Sequence, residues 1–94
     1  QGTATFPISG ISKVRNNDGG TTFNGEVRAV TDDFKPSDGQ QIKVSLVLRD
    51  KQGAIIYGEM AFVDWPDNGQ SMPFSILVYD LPDYTSYESY AQIW

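Results

Sequence analysis

Carboxylates are the first place to look for chemistry in this 94-residue chain, because it contains neither histidine nor cysteine. The commonest general base, the commonest transition-metal ligand and the thiolate nucleophile are therefore all missing. Asp64 and Asp67 form the best carboxylate pair for acid/base work, which in glycosidases requires two such groups facing each other across a cleft. A chain this short offers little room for such a cleft. Ser9 and Ser75 have no histidine to activate them, and Lys13, Lys35, Lys43 and Lys51 read as solvated. The expectation is no catalytic residue, no cofactor and no enzyme.

Three clusters carry the oxygen ligands that Ca²⁺ prefers: Asn16, Asn17 and Asp18; Asp32, Asp33 and Asp38; and Asp64, Asp67 and Asn68. None has the spacing of an EF-hand loop, and turns recruit Asp and Asn for backbone reasons. No metal ligand is assigned. The aromatic residues are the more informative group. Trp65 stands in a turn, and Tyr57 and Tyr79 are expected to face away from the core, so these three are the candidate ligand-binding residues. Tyr84, Tyr87 and Tyr90 recur every third residue, which would split them between the faces of a strand and rules out a simple row.

Twelve acidic against seven basic residues give a net charge of −5, which repels phosphate backbones and anionic membrane surfaces. Nucleic acid is thus not an expected partner. No apolar run approaches the roughly 20 residues that cross a bilayer, and none reads as a signal peptide. The chain opens on Gln1 instead of Met, as a processed or trimmed fragment would.

The elements that would carry these residues are short strands. The organising stretch runs from Ile42 to Asp64, a hairpin with Ile42, Val44, Leu46 and Leu48 on one face and a turn at Asp50-Lys51-Gln52-Gly53. Its return strand is expected to turn Ile56, Met60 and Phe62 inward and Tyr57, Glu59 and Ala61 outward. Before it, residues 3–8 read as an edge strand because Pro7 cannot donate to a ladder, and 11–15 extend it after a break at Gly10. Residues 21–30 alternate with Phe23, Gly25, Val27 and Ala29 on the buried face, Gly25 leaving room for a close neighbour. Residues 31–41 are a polar connection in which Phe34 alone is apolar, an anchor back to the core. After the turn at 64–70, Met72, Phe74, Ile76 and Val78 face inward with Pro73 outward, and 84–94 form a last strand. Free edges beside Pro7 and at Ile93-Trp94 could pair between copies.

Six or seven strands with no helical period predict one domain over 1–94, an all-β antiparallel sandwich of the immunoglobulin-like kind with about seven strands. The run Leu46-Val47-Leu48-Arg49-Asp50 before Lys51-Gln52-Gly53, the strand Phe23-Asn24-Gly25-Glu26-Val27, and Asp67-Asn68-Gly69 followed by Phe74 together resemble the FxLYD domain. FxLYD domains are small β-sandwich modules of prokaryotic secreted and envelope proteins. The resemblance covers residues 21–94 and departs at Leu46, Arg49 and Ala29, where the family has Phe, Tyr and Asn. It implies a secreted or cell-surface module of an envelope protein, with no catalytic residues to transfer. The expected function is a non-catalytic extracytoplasmic module that contacts a protein partner or spaces other domains. The alternatives are a small carbohydrate-binding module that takes a glycan on exposed aromatics, and a calcium-stabilised adhesin-like domain.

Overall fold

The computed structural model describes residues 2–94. They form eight strands: β1 Thr3–Thr5, β2 Ile8–Arg15, β3 Thr21–Arg28, β4 Val30–Asp32, β5 Gln41–Arg49, β6 Ile55–Asp64, β7 Ser71–Val78 and β8 Ser86–Ile93. All pairings are antiparallel. Strands β2-β3-β7 make one three-stranded sheet, β6-β5-β8 a second, and β1-β4 a short ribbon. The chain crosses between the large sheets after β3, after β6 and after β7, so the inner faces of both are filled from distant parts of the sequence.

The core is the union of those inner faces. Ile42, Val44, Leu46 and Leu48 of β5 are buried, as are Phe23 and Val27 of β3 and Phe74, Ile76 and Val78 of β7. These are the alternations expected from the sequence, and a period of two places each set on one side of its sheet. Phe23 meets Tyr87 of the opposite sheet edge-on at 5.2 Å, an aromatic joint between the layers. Gly25 also does what its position suggested. It lies opposite Phe74, and a Cβ there would stand 2.7 Å from the end of that ring.

The hairpin's turn closes as expected, with Gly53 N donating to Asp50 O at 3.0 Å and Gly53 at φ +85°. The Asp50 carboxylate accepts from the amides of Gln52 and Ala54. Beyond the turn the structure corrects the sequence reading. Arg49 pairs with Ile55 but Leu48 pairs with Tyr57, so an extra residue bulges from β6 and every later side chain changes face. Directly opposed residues share a face. Tyr57, Glu59, Ala61 and Val63 therefore join the inward row of β5, whereas Ile56, Met60 and Phe62 lie outside.

Three smaller differences have local causes. The N-terminal break falls at Phe6-Pro7, since proline cannot continue the ladder, and Gly10 instead sits inside β2 at φ +66°. There Gly10 and Ile11 together oppose Gly25, a glycine-led bulge that keeps the strand running. The polar connection after β3 begins with strand β4, because Thr31 pairs with Ala4 and its amide donates to Asn68 Oδ1. Splitting the first strand and adding β4 raises the count to eight.

These contacts separate two glycines. Gly25→Ala should lower unfolding free energy in a denaturant titration by about 1–3 kcal/mol, through overpacking against Phe74. Gly58→Ala should change it by less than about 0.5 kcal/mol, since its nearest neighbour would be Leu46 O at 3.7 Å. Equal losses at both sites would refute the packing argument.

Candidate functional site

The inverted face of β6 creates a surface that the sequence pattern hid. Across the outside of the β6-β5-β8 sheet, Phe62, Lys43 and Gln92 form one cross-strand row, Met60, Ser45 and Tyr90 the next, and Gly58, Val47 and Glu88 a third. Trp94 is 64% exposed, Tyr90 50%, Met60 49% and Phe62 41%, large groups brought to one face from the two outer strands of the sheet. Trp94 reaches across β5 to Phe62, with ring centroids 5.0 Å apart and planes at 62°. Lys43 Nζ lies 5.1 Å from the centre of the Trp94 ring, a cation-π contact that keeps the ammonium beside the patch.

The far end of the patch is held by charge. Arg49 Nε donates to Glu88 Oε1, Arg49 also donates to Gly53 O at 2.7 Å, and the Tyr90 hydroxyl donates to Glu88 Oε2. The Tyr90 hydroxyl and then the Arg49 guanidinium hold the Glu88 carboxyl below the usual carboxylate range. Glu88 and then Tyr90 raise Arg49 in turn. The network fixes the turn at Gly53 to β8 and sets the tilt of Tyr90. The outside of the other sheet is different, with Ser9, Ser12, Asn24, Glu26 and Ser75 along its middle and Val14 and Leu77 at one end.

Each residue expected from the sequence to bind a ligand has a definite place, and no two of them share a surface. Trp65 is half-buried: Phe34 stacks on it at 5.4 Å and 15°, and Phe6 meets it edge-on at 5.3 Å. It borders a shallow cleft of about 340 Å³ with Asp64 and the 36–40 loop. Phe34 is thus the anchor its isolation suggested. Tyr57 does not face solvent as expected; the β6 bulge turns it onto the core. Tyr79 is exposed, and its hydroxyl donates to Asp18 Oδ2 at 2.8 Å. That bond raises the Tyr79 hydroxyl and, after the Gly20 amide, lowers the Asp18 carboxyl.

Three side chains of the Asp and Asn clusters are held in hydrogen bonds. Asp18 Oδ1 accepts from Gly20 N, Asn68 Oδ1 from Thr31 N, and Asp64 Oδ1 from Gln41 Nε2. Among the described residues no three carboxylate, histidine or cysteine groups come together as a metal site. No helix is long and apolar enough to cross a membrane. A second cleft, about 370 Å³, is lined by Lys13, Arg15, Thr21 and Leu81. Lys13 there donates to the Tyr84 hydroxyl and lies 5.1 Å from its ring centre.

In comparisons with known proteins, no family model, no curated protein and no solved structure matches this chain.

Two measurements follow from the charges. A carboxyl depressed in the folded state stabilises fully above its unfolded value, about 4.3, and loses that contribution as pH falls through the lower folded value. The melting-temperature deficit of Glu88→Gln should therefore be largest above about pH 5 and shrink in acid; a deficit unchanged down to pH 2 would exclude this role. Excess EDTA should leave the parent melting temperature where it is, and a fall would restore the calcium alternative.

Proposed function

We propose that this chain is a non-catalytic binding module that contacts a protein partner through the outer face of the β6-β5-β8 sheet. The observation that carries the reading is the exposure of Met60 and Phe62 on β6 and of Tyr90 and Trp94 on and just past β8, on the same face of one sheet with β5 between them. Aromatic residues, Met and Arg are the types enriched where proteins meet; Arg49 supplies a polar end to the patch, and Lys43 sits within it between Phe62 and Trp94. Sugar rings stack best on coplanar aromatics. The 62° angle between Phe62 and Trp94 disfavours a flat sugar platform and suits the irregular relief of a protein. Trp65, the residue on which the glycan alternative rested, already has one face covered by Phe34.

The same reading extends to the fold family and address. The order β2-β3-β7 opposite β6-β5-β8 is compatible with an immunoglobulin-like sandwich, in which two antiparallel sheets pack face to face with connections crossing between them. The FxLYD resemblance supports an extracytoplasmic module of an envelope protein, where it would join or space neighbouring domains.

Site-specific photo-crosslinking in the native host tests this directly. A photoreactive residue in place of Tyr90 should form a discrete adduct with a protein, while one in place of Asn24 on the opposite sheet should not. Adducts of equal yield from both positions, or none from Tyr90, would sink the proposal. Glycan-array binding abolished by Trp65→Ala would establish the carbohydrate alternative instead.

A further inference from the structure

A sheet's free edge is a template for another strand, and proteins blunt such edges with proline, bulges, inward charges or short length. Three of the four edges in the large sheets are blunted. β2 follows Pro7, carries the Gly10 bulge, and points Lys13 and Arg15 to the inner side, opposite Phe23 and Thr21. β7 holds Pro73 within its span. β6 has the bulge at Ile55 and the inward Glu59, opposite Leu46. The β1-β4 ribbon has only three-residue strands.

β8 has none of these devices. Its eight residues run in unbroken register with β5, without proline or bulge, and its one charge, Glu88, is engaged by Arg49. The free hydrogen-bonding groups can be identified. Trp94 N donates to Gln41 O, which makes the even-numbered residues of β8 those bonded to β5. The N–H and C=O groups of Tyr87, Ser89, Ala91 and Ile93 therefore point to the open edge. The side chains of these same four lie on the inner face. Ser89 Oγ is buried without a hydrogen-bond partner among the described residues, and Ile93, although inward, stays 38% exposed.

We infer that β8 pairs antiparallel with β8 of a second copy about a two-fold axis at Ser89, joining two three-stranded sheets into one of six. This arrangement opposes Ser89 to Ser89, so that the two hydroxyls can satisfy each other, and sets Tyr87 opposite Ala91. An edge whose only charge is already neutralised meets no repulsion from its copy, despite the chain's net charge of −5. Eight residues at about 3.4 Å each give an edge roughly 27 Å long, burying only a few hundred Å² per copy, against about 800 Å² in a standard interface. The dimer is accordingly weak and concentration-dependent. It does not depend on the proposed outer-face contact, and it would lay two copies of that face side by side.

Sedimentation equilibrium and amide hydrogen exchange, run on the whole chain over a concentration series, test the pairing. Dimer should appear on the order of 0.1–1 mM. When four chains in five are paired, exchange at Tyr87, Ser89 and Ala91, whose partners across the axis are Ala91, Ser89 and Tyr87, should slow about fivefold, with the even-numbered amides of β8 unchanged. Ser89→Pro removes an edge-facing N–H without breaking the ladder to β5, and should stay folded and monomeric throughout; Ala91→Pro is equivalent if Ser89→Pro does not fold. A monomer mass for the parent up to 1 mM overturns the inference. So does a dimer that leaves those three amides unprotected or survives the proline.

Discussion

Strand β5 is the constraint on which this structure turns. It is the only strand of its sheet with neighbours on both sides, and its even-numbered residues are sealed in the core. Since directly opposed residues must share a face, β5 dictates which side chains of β6 and β8 turn inward. Leu48 brings in Tyr57 and Tyr87, Leu46 brings in Glu59 and Ser89, and Val44 brings in Ala61 and Ala91. The outer aromatic face is the complement of that choice, populated by the residues left over.

Most of the core was readable from composition and period. β3, β5 and β7 are each markedly more apolar on one face, so alternation alone identifies their buried sides. The close approach at Gly25, the anchor at Phe34 and the division of Tyr87 from Tyr90 follow from equally local rules. β6 is different, because Ile56, Met60 and Phe62 form as convincing an apolar row as Tyr57, Ala61 and Val63. Hydropathy cannot choose between two such rows, and a one-residue bulge decided the matter. The available signal was the doublet Ile55-Ile56 immediately after the turn, where two residues of one strand can oppose one of the other. Misplacing that row concealed the surface on which the functional reading now rests, and put Tyr57 on the wrong side of the sheet.

Some of the Asp and Asn residues also have a local role. Asp18, Asp50 and Asn68 each spend a side-chain oxygen on a backbone amide in or beside a turn. A sandwich of short strands needs many reversals, and Asp and Asn satisfy the amides that reversals leave unpaired. Asp18 and Asn68, members of clusters that resemble ion sites in sequence, here fasten loops. Trp65 belongs to the same economy of fixing, held between Phe6 and Phe34 so that the ribbon and the 33–40 segment are fastened to the end of β6.

The order in which the ladders can form has a consequence for how the chain reaches this state. The β5-β6 hairpin is local and can close in about 1–10 μs, whereas Thr21 must find Val78 and Ile42 must find Ile93 before either sheet is complete. Topologies dominated by such distant pairings fold in milliseconds to seconds. During that interval the hairpin shows water an aliphatic row on one side and Met60 and Phe62 on the other, with no β8 to bring Trp94 across. The period of greatest aggregation risk is therefore set by the arrival of the last strand, and a chain emerging from a ribosome would cross it only after nearly all of the domain has been made.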